Sequence, residues 1–134
     1  QSVKSYLENN GQCDSLSCLH AIEHFGLGRY GDDIDPLGYE KGITNISRLL
    51  KTNGIFYLST PIGIEHVQFN ANWVFSPSTI IECAKNNDLE LKTLTIFNSG
   101  IEKSYDLKDL IGENAVVFRE QDLGVFVFVK TSQQ

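Results

Sequence analysis

A segment with helical periodicity set between two apolar runs limits this chain to a small group of folds. In LGYEKGITNISRLLK, residues 37–51, Tyr39, Ile43, Ile46, Leu49 and Leu50 recur at three- and four-residue spacing, with Lys51 in the last turn and Gly54 beyond as a stop. The pattern predicts an amphipathic helix that starts after Pro36 and is weakened by Gly42. Before it, DSLSCLHAI, residues 14–22, has the length and apolar content of a buried strand, and after it IFYLST reads as a second strand closed by Pro61. Strand, helix, strand in that order implies a right-handed parallel crossover, so the fold class is α/β.

The flanking sequence adds further elements. Residues 1–12 are polar and end in Asn9-Asn10-Gly11, a loop signal. FGLGRYGDDIDPLG, residues 25–38, holds four glycines, a proline and three aspartates and reads as a long loop of the kind that carries function. Ser76-Pro77 offers an N-cap and first-turn proline for a short helix through Lys85. LELKTLTIF alternates like a strand, DLKDLIG allows at most two helical turns, and GVFVFVK is a strand with AVVF a weaker one before it. In GVFVFVK, Phe126 and Phe128 alternate with Val125, Val127 and Val129, which predicts burial on both faces; the final strand is free to run antiparallel.

At 134 residues, with 41% hydrophobic and 21% charged residues, the composition is that of one globular domain with a proper core. No apolar run approaches the ~20 residues of a membrane span, and no signal peptide is visible, so no membrane partner is expected. A net charge of −6, with 11 basic residues scattered among 17 acids, argues against nucleic acid. Cys13, Cys18 and Cys83 are odd in number and lack metal-type pair spacing, which fits reduced thiols in the cytoplasm. The chain begins at Gln1 and contains no Met, so further residues are expected upstream.

Two catalytic signatures overlap in LHAIEHFGLGRYG. His20, Glu23 and His24 spell H-x-x-E-H, and Gly26, Gly28 and Gly31 spell G-x-G-x-x-G. The first requires both histidines and the glutamate on one helix facing one metal, yet here it begins in a strand and ends in a glycine loop, so no zinc is expected. The second requires its last glycine to open a helix that holds a pyrophosphate, whereas Asp32-Asp33-Ile34-Asp35-Pro36 comes next, repelling phosphate and delaying any helix.

The order of strand, "IEH", helix ending in "RLLKTNG" and strand "IFYLSTP" resembles the second half of class I S-adenosylmethionine-dependent methyltransferases. More narrowly, SLSCLHAIEHFGLGRYGDDIDP with YLSTPIG and FNA, over about residues 14 to 72, is similar to the methyltransferase-like family known as domain of unknown function 268. Where that family tends to carry His-Arg after Asn-Ala, this chain has Asn72-Trp73. The resemblance implies a Rossmann-like methyltransferase fold represented by its second half only, strands four to seven with flanking helices, as a single partial α/β domain over residues 1–134. The methyl donor in that fold is held mainly by a first strand, its glycine turn and an acid ending the second strand, none of which is present. S-adenosylmethionine is therefore expected in the intact protein and not on this piece.

Ligands in open α/β sheets bind at the carboxyl ends of the strands, which places His20, Glu23 and His24 after one strand and Glu65, His66 and Asn70 after the next, with all three histidines able to gather at one rim. His20, Glu23 and His24 are the catalytic candidates; Gly26, Gly28, Arg29, Tyr30, Asp32, His66 and Asn70 are the substrate-binding candidates, with Arg29 and the aspartates suited to a hydroxylated acceptor such as a saccharide or another small polar molecule. His20 reads equally as a core histidine bonded to backbone, and Arg29 as a brace for its loop. Phe25, Leu27 and Trp73 read as packing. The functional expectation is a methyltransferase-like protein acting on such an acceptor, against a non-catalytic binding module of the same fold. An upstream strand missing from mid-sheet would leave residues 14–22 as an exposed edge, from which a homo-dimer is expected unless residues 1–12 fold back over it.

Overall fold

A computed structural model describes residues 3–27, 35–68, 72–98 and 100–132. The sheet begins with β1 (Cys13–Leu19), which pairs in parallel with β2 (Leu50–Ile62) through α2 (Gly38–Leu49), the crossover that the periodicity predicts. The chain then forms a small hairpin, β3 (His66–Gln68) and β4 (Asn72–Val74), and runs through α3 (Pro77–Lys85) into β5 (Leu89–Asn98). β6 (Ile101–Tyr105), α4 (Leu107–Leu110) and β7 (Asp122–Lys130) complete the described elements. β7 inserts antiparallel between β2 and β5, giving the order β1-β2-β7-β5-β6.

Strand alternation sorts the sheet into two unlike faces. Phe56, Leu58 and Ile62 of β2, Phe126 and Phe128 of β7 and Leu94 and Ile96 of β5 form one buried face. Ile43 of α2, Ile80, Ile81 and Ala84 of α3 and Leu110 of α4 pack into the same core. The opposite face carries Ile55, Tyr57 and Pro61, Val125, Val127 and Val129, and Phe97, all half-buried or exposed, with Tyr57 39% and Phe97 41% exposed. The expectation that β7 is buried on both faces is thus corrected: its Phe side is closed and its Val side is half open, because the helices of the core all lie on the Phe side.

Several local readings change for physical reasons. Residues 1–12 are not simply loop: Val3–Asn10 forms α1, which lies against α2, and Asn9-Asn10-Gly11 is its stop. Gly11 has φ +71 and its N–H bonds to Leu7 O, while the side-chain amides of Asn9 and Asn10 donate to the carbonyls of Ser5 and Tyr6. The first strand ends at Leu19 rather than Ile22, because His20 takes a left-handed φ of 53 and a single 3-10 turn comes after it over Ile22–His24. Gly54 does not stop the helix, since the chain passes directly from Leu49 into β2 and Gly54 lies within that strand. The last turn of α2 is closed by the buried Lys130 ammonium, which donates to the carbonyls of Ser47 and Leu50. β6 and the β3–β4 hairpin went unsignalled, and AVVF is irregular rather than a strand.

Gly42, a weakness by propensity, is a requirement of packing: a Cβ there would stand 2.7 Å from the Phe25 ring. Gly26 is more constrained still. It has φ +75, a Cβ would meet Asp35 O at 1.9 Å, and Gly26 and Gly38 touch through their backbones. Asp35 N–H bonds to Gly26 O at 2.7 Å, and the Asp35 carboxylate takes Leu37 N–H and the Lys41 ammonium, so the two ends of the 27–35 segment are clipped to the start of α2. We predict that Gly26→Ala costs at least about 3 kcal/mol in urea unfolding, while Gly112→Ala, also at positive φ but facing open space, costs only the backbone strain of roughly 1–2 kcal/mol. Equal costs would contradict the close approach.

Candidate functional site

The two parallel strands end side by side, and one residue sets the path of the chain beyond β1. His20 reverses the backbone while its N–H still bonds to Ser59 O on β2 at 3.0 Å. The adjoining 3-10 turn drives Ile22 into the core and Glu23 beneath the rim, where Glu23 is 2% exposed. Its Oε1 lies 3.7 Å from His20 Nδ1 and 3.7 Å from His24 Nε2, and its Oε2 accepts a hydrogen bond from Thr60 Oγ1 at 3.4 Å. A carboxylate withdrawn from water this far is costly to hold without partners, and the two imidazoles and the Thr60 hydroxyl are the groups ranged around it. The two rings differ: the His20 side chain is 58% exposed and that of His24 only 12%, so His20 is the one presented outward.

The structure therefore brings His20, Glu23 and His24 together. It does not join His66 to them by any described contact: His66 is exposed on β3 and its Nδ1 lies 2.6 Å from Ile64 O. Gly26 sits at the stem described above. Gly28, Arg29, Tyr30, Asp32 and Asn70 lie outside the described residues. Because His20 lies just past the end of a strand and His24 ends a 3-10 turn, the H-x-x-E-H letters do not stack on one α-helix, and among the described residues no group of three or more His, Cys, Asp or Glu side chains is arranged to hold a metal.

Thr60 escaped the sequence reading: its hydroxyl is wholly buried, and nothing in the apolar run IFYLST marks it as a partner of Glu23. A second missed feature is the aromatic cluster of Tyr39, Trp73 and Phe75 beside the turn. Trp73 stacks on Phe75 with centroids 5.5 Å apart, and Tyr39 meets Trp73 edge-on at 5.8 Å. Burial pushes the Tyr39 hydroxyl up to about 12, aided by the charge of Glu40, to which it donates a hydrogen bond at 3.3 Å. Burial, with the Glu40 charge behind it, likewise pushes the Cys83 thiol up to about 11, and burial raises Cys18 too, so neither is poised as a nucleophile.

This sheet is shared with known proteins. The chain belongs to the family described as "Caenorhabditis protein of unknown function, DUF268", whose sequence model matches residues 1–122, well past the stretch that carries the resemblance in sequence. No curated protein matches it. Its fold is similar to the [4+2]-cyclase SpnF, with a TM-score of 0.57 at 9% identity over 91% of this chain and 52% of that one. It is also similar to the 1,6-didemethyltoxoflavin-N1-methyltransferase of Burkholderia thailandensis, solved with S-adenosylhomocysteine, with a TM-score of 0.52 at 14% identity over 87% of this chain and 44% of that one. An O-methyltransferase family protein from the same organism gives a TM-score of 0.52 at 9% identity over 99% of this chain and 34% of that one. At these identities the likeness is one of fold: mixed α/β, Rossmann-like and methyltransferase-like. The chain spans about half or less of the length of these three structures. No helix among the described residues is long and apolar enough to cross a membrane.

Tyr39 and Cys83 are both favoured in their neutral forms by the fold, against ordinary values of 10.0 and 9.0. Their contribution to stability is complete below pH 9 and is lost as pH rises toward 12. We predict that phenolate absorbance shows one tyrosine ionising near pH 12, absent in Tyr39→Phe, and that iodoacetamide modifies Cys83 at pH 8 far more slowly than in the unfolded chain. An ordinary tyrosine titration together with rapid labelling of Cys83 would contradict this environment.

Proposed function

We propose that this chain is the acceptor-side half of an S-adenosylmethionine-dependent methyltransferase, equivalent to strands four to seven of that fold. The observation that carries the reading is the parallel pair β1–β2 ending in a buried Glu23 flanked by two imidazoles, on a sheet whose antiparallel β7 lies between β2 and β5. β1 is paired only with β2 among the described strands, and Leu19 at its end is 61% exposed, which suits a further strand alongside it.

The donor does not fit the described residues on their own. At the ends of the parallel strands the His20 N–H is taken by Ser59 O, that of His24 by Ala21 O, that of Phe25 by Ile22 O and that of Gly63 by Phe75 O, and the glycine turn that cradles the donor in this fold is not among the described elements. This chain's own work is then on the proton. On this reading the Glu23 carboxylate, 3.7 Å from Nδ1, holds the exposed His20 ring with its proton on Nδ1, so that Nε2 takes a proton from the hydroxyl or amine of a small polar acceptor. Thr60 and His24 hold the carboxylate in place as positioning residues. The cytoplasm is the compartment that the three free thiols suit.

In the intact protein, Glu23→Gln and His20→Asn are each expected to lower kcat by about 100-fold or more with KM little changed. The isolated 134-residue chain is expected to give no saturable heat with S-adenosylmethionine in the micromolar range. Full turnover in both variants would remove the proton-handling role of His20 and Glu23, absence of turnover in the intact wild-type protein would leave a non-catalytic binding module, and micromolar affinity of the isolated chain would overturn the division of labour. The isolated chain is further expected to self-associate through the β1 edge, with Leu19→Lys returning it to a monomer in light scattering; a wild-type chain that stays monomeric at high concentration would remove that edge as an interface.

A further inference from the structure

On the open face of the sheet, at the same rim, lies a shallow cavity of about 370 Å³ that borders His20. Its floor is set by strand register. Pro61 of β2 pairs with Leu123 of β7, and Leu123 pairs with Phe97 of β5, so one apolar row crosses three strands and ends in an aromatic ring that is 41% exposed. One residue further toward the rim stand Asn98 and Asp122, with Gln121 beside them and His20 on the far wall. The cavity thus has an apolar bottom and a polar lip.

The lip has a definite hydrogen-bonding capacity. Gln121 Oε1 accepts from Gln68 Nε2, which leaves its own amide N–H groups to donate. Asn98 Nδ2 donates to Glu120 Oε2 at 3.3 Å, which leaves its carbonyl oxygen to accept, beside the Asp122 carboxylate. Among the described residues no Lys or Arg lines the cavity, and Asp122 and nearby Glu120 disfavour anions. A flat ligand without negative charge, with hydroxyls around its edge and one face of C–H groups to lie on Phe97 and Leu123, matches both the apolar row and the donors and acceptors of the lip. We infer that this cavity is a pyranose-binding subsite, in which the sugar ring rests on the Pro61–Leu123–Phe97 row and presents a hydroxyl toward His20.

The inference rests on the reading of His20 as the proton acceptor for transfer, and it names the acceptor class of that site as neutral saccharide. The test is binding without any methyl donor. Amide-resolved NMR titrations of the chain with methyl β-glucopyranoside, methyl α-mannopyranoside and methyl β-galactopyranoside are expected to give saturable shifts at residues 97, 98 and 121–123 for at least one of the three. Phe97→Ala is expected to weaken that binding about ten-fold or more, while Phe97→Tyr preserves it. Should Phe97→Ala disturb the spectrum as a whole, Gln121→Ala at the exposed lip provides the same comparison. Absence of saturable shifts with all three pyranosides, shifts confined to another surface, or unchanged affinity in the variants would each overturn the subsite. Pyranoside binding in a protein that transfers no methyl group would uphold the subsite and remove the transferase reading. Methyl transfer to an acceptor that leaves these residues unperturbed would do the reverse.

Discussion

The antiparallel entry of β7 between β2 and β5 is the interaction on which the rest of the molecule depends. Eight residue pairs from Ile55 and Val129 to Ile62 and Asp122 join it to β2, and a second ladder from Leu89 and Lys130 to Phe97 and Leu123 joins it to β5. Along these ladders Phe126 and Phe128 come to lie parallel at 5.8 Å, and Phe128 stacks on Phe56 at 5.9 Å. Without β7 the β1–β2 pair and the β5–β6 hairpin would share no ladder and no sheet face. Antiparallel entry also fixes the rim: β7 starts where β1, β2 and β5 end, which sets Asp122 and Leu123 beside Pro61 and Phe97. At the opposite end Lys130 is carried under α2, where it closes the last turn.

The rim chemistry depends on a second constraint, the left-handed φ of His20. That conformation is rare for a residue other than glycine, and it persists where the surroundings determine it. Here the Ser59 carbonyl holds the His20 N–H on one side and the buried Ile22 anchors the turn on the other. The reversal places Glu23 inward and His20 outward within four residues, so a buried carboxyl group and an exposed imidazole are set side by side by backbone geometry rather than by distant packing.

Much of this was legible in the sequence where periodicity and burial coincide. The α2 stripe of Tyr39, Ile43 and Ile46, the parallel crossover, α3 behind Ser76-Pro77 and the β7 alternation all arise from residues that face one core. The α1 helix was missed because it buries no residue, and β6 because IEKSY is solvent-facing apart from the half-buried Tyr105, so neither carries an apolar period. The end of β1 was misplaced because Leu19, Ile22 and the residues between them read as apolar strand while no glycine or proline marks the turn. At the site, the grouping of His20, Glu23 and His24 was legible from their spacing. The contribution of Thr60 was not, since it comes from a strand 37 residues away that only the crossover brings alongside.

The central claim is that Glu23 fixes the His20 ring with its Nδ1 protonated and its Nε2 free. The imidazole nitrogen resonances of His20, correlated with its ring carbon protons near neutral pH, report that tautomer directly. The neutral ring is expected to be in the Nδ1–H form in the wild-type chain and to shift toward the Nε2–H form in Glu23→Gln. An Nε2–H ring in the wild type, or a tautomer indifferent to the loss of the carboxylate, would contradict the account.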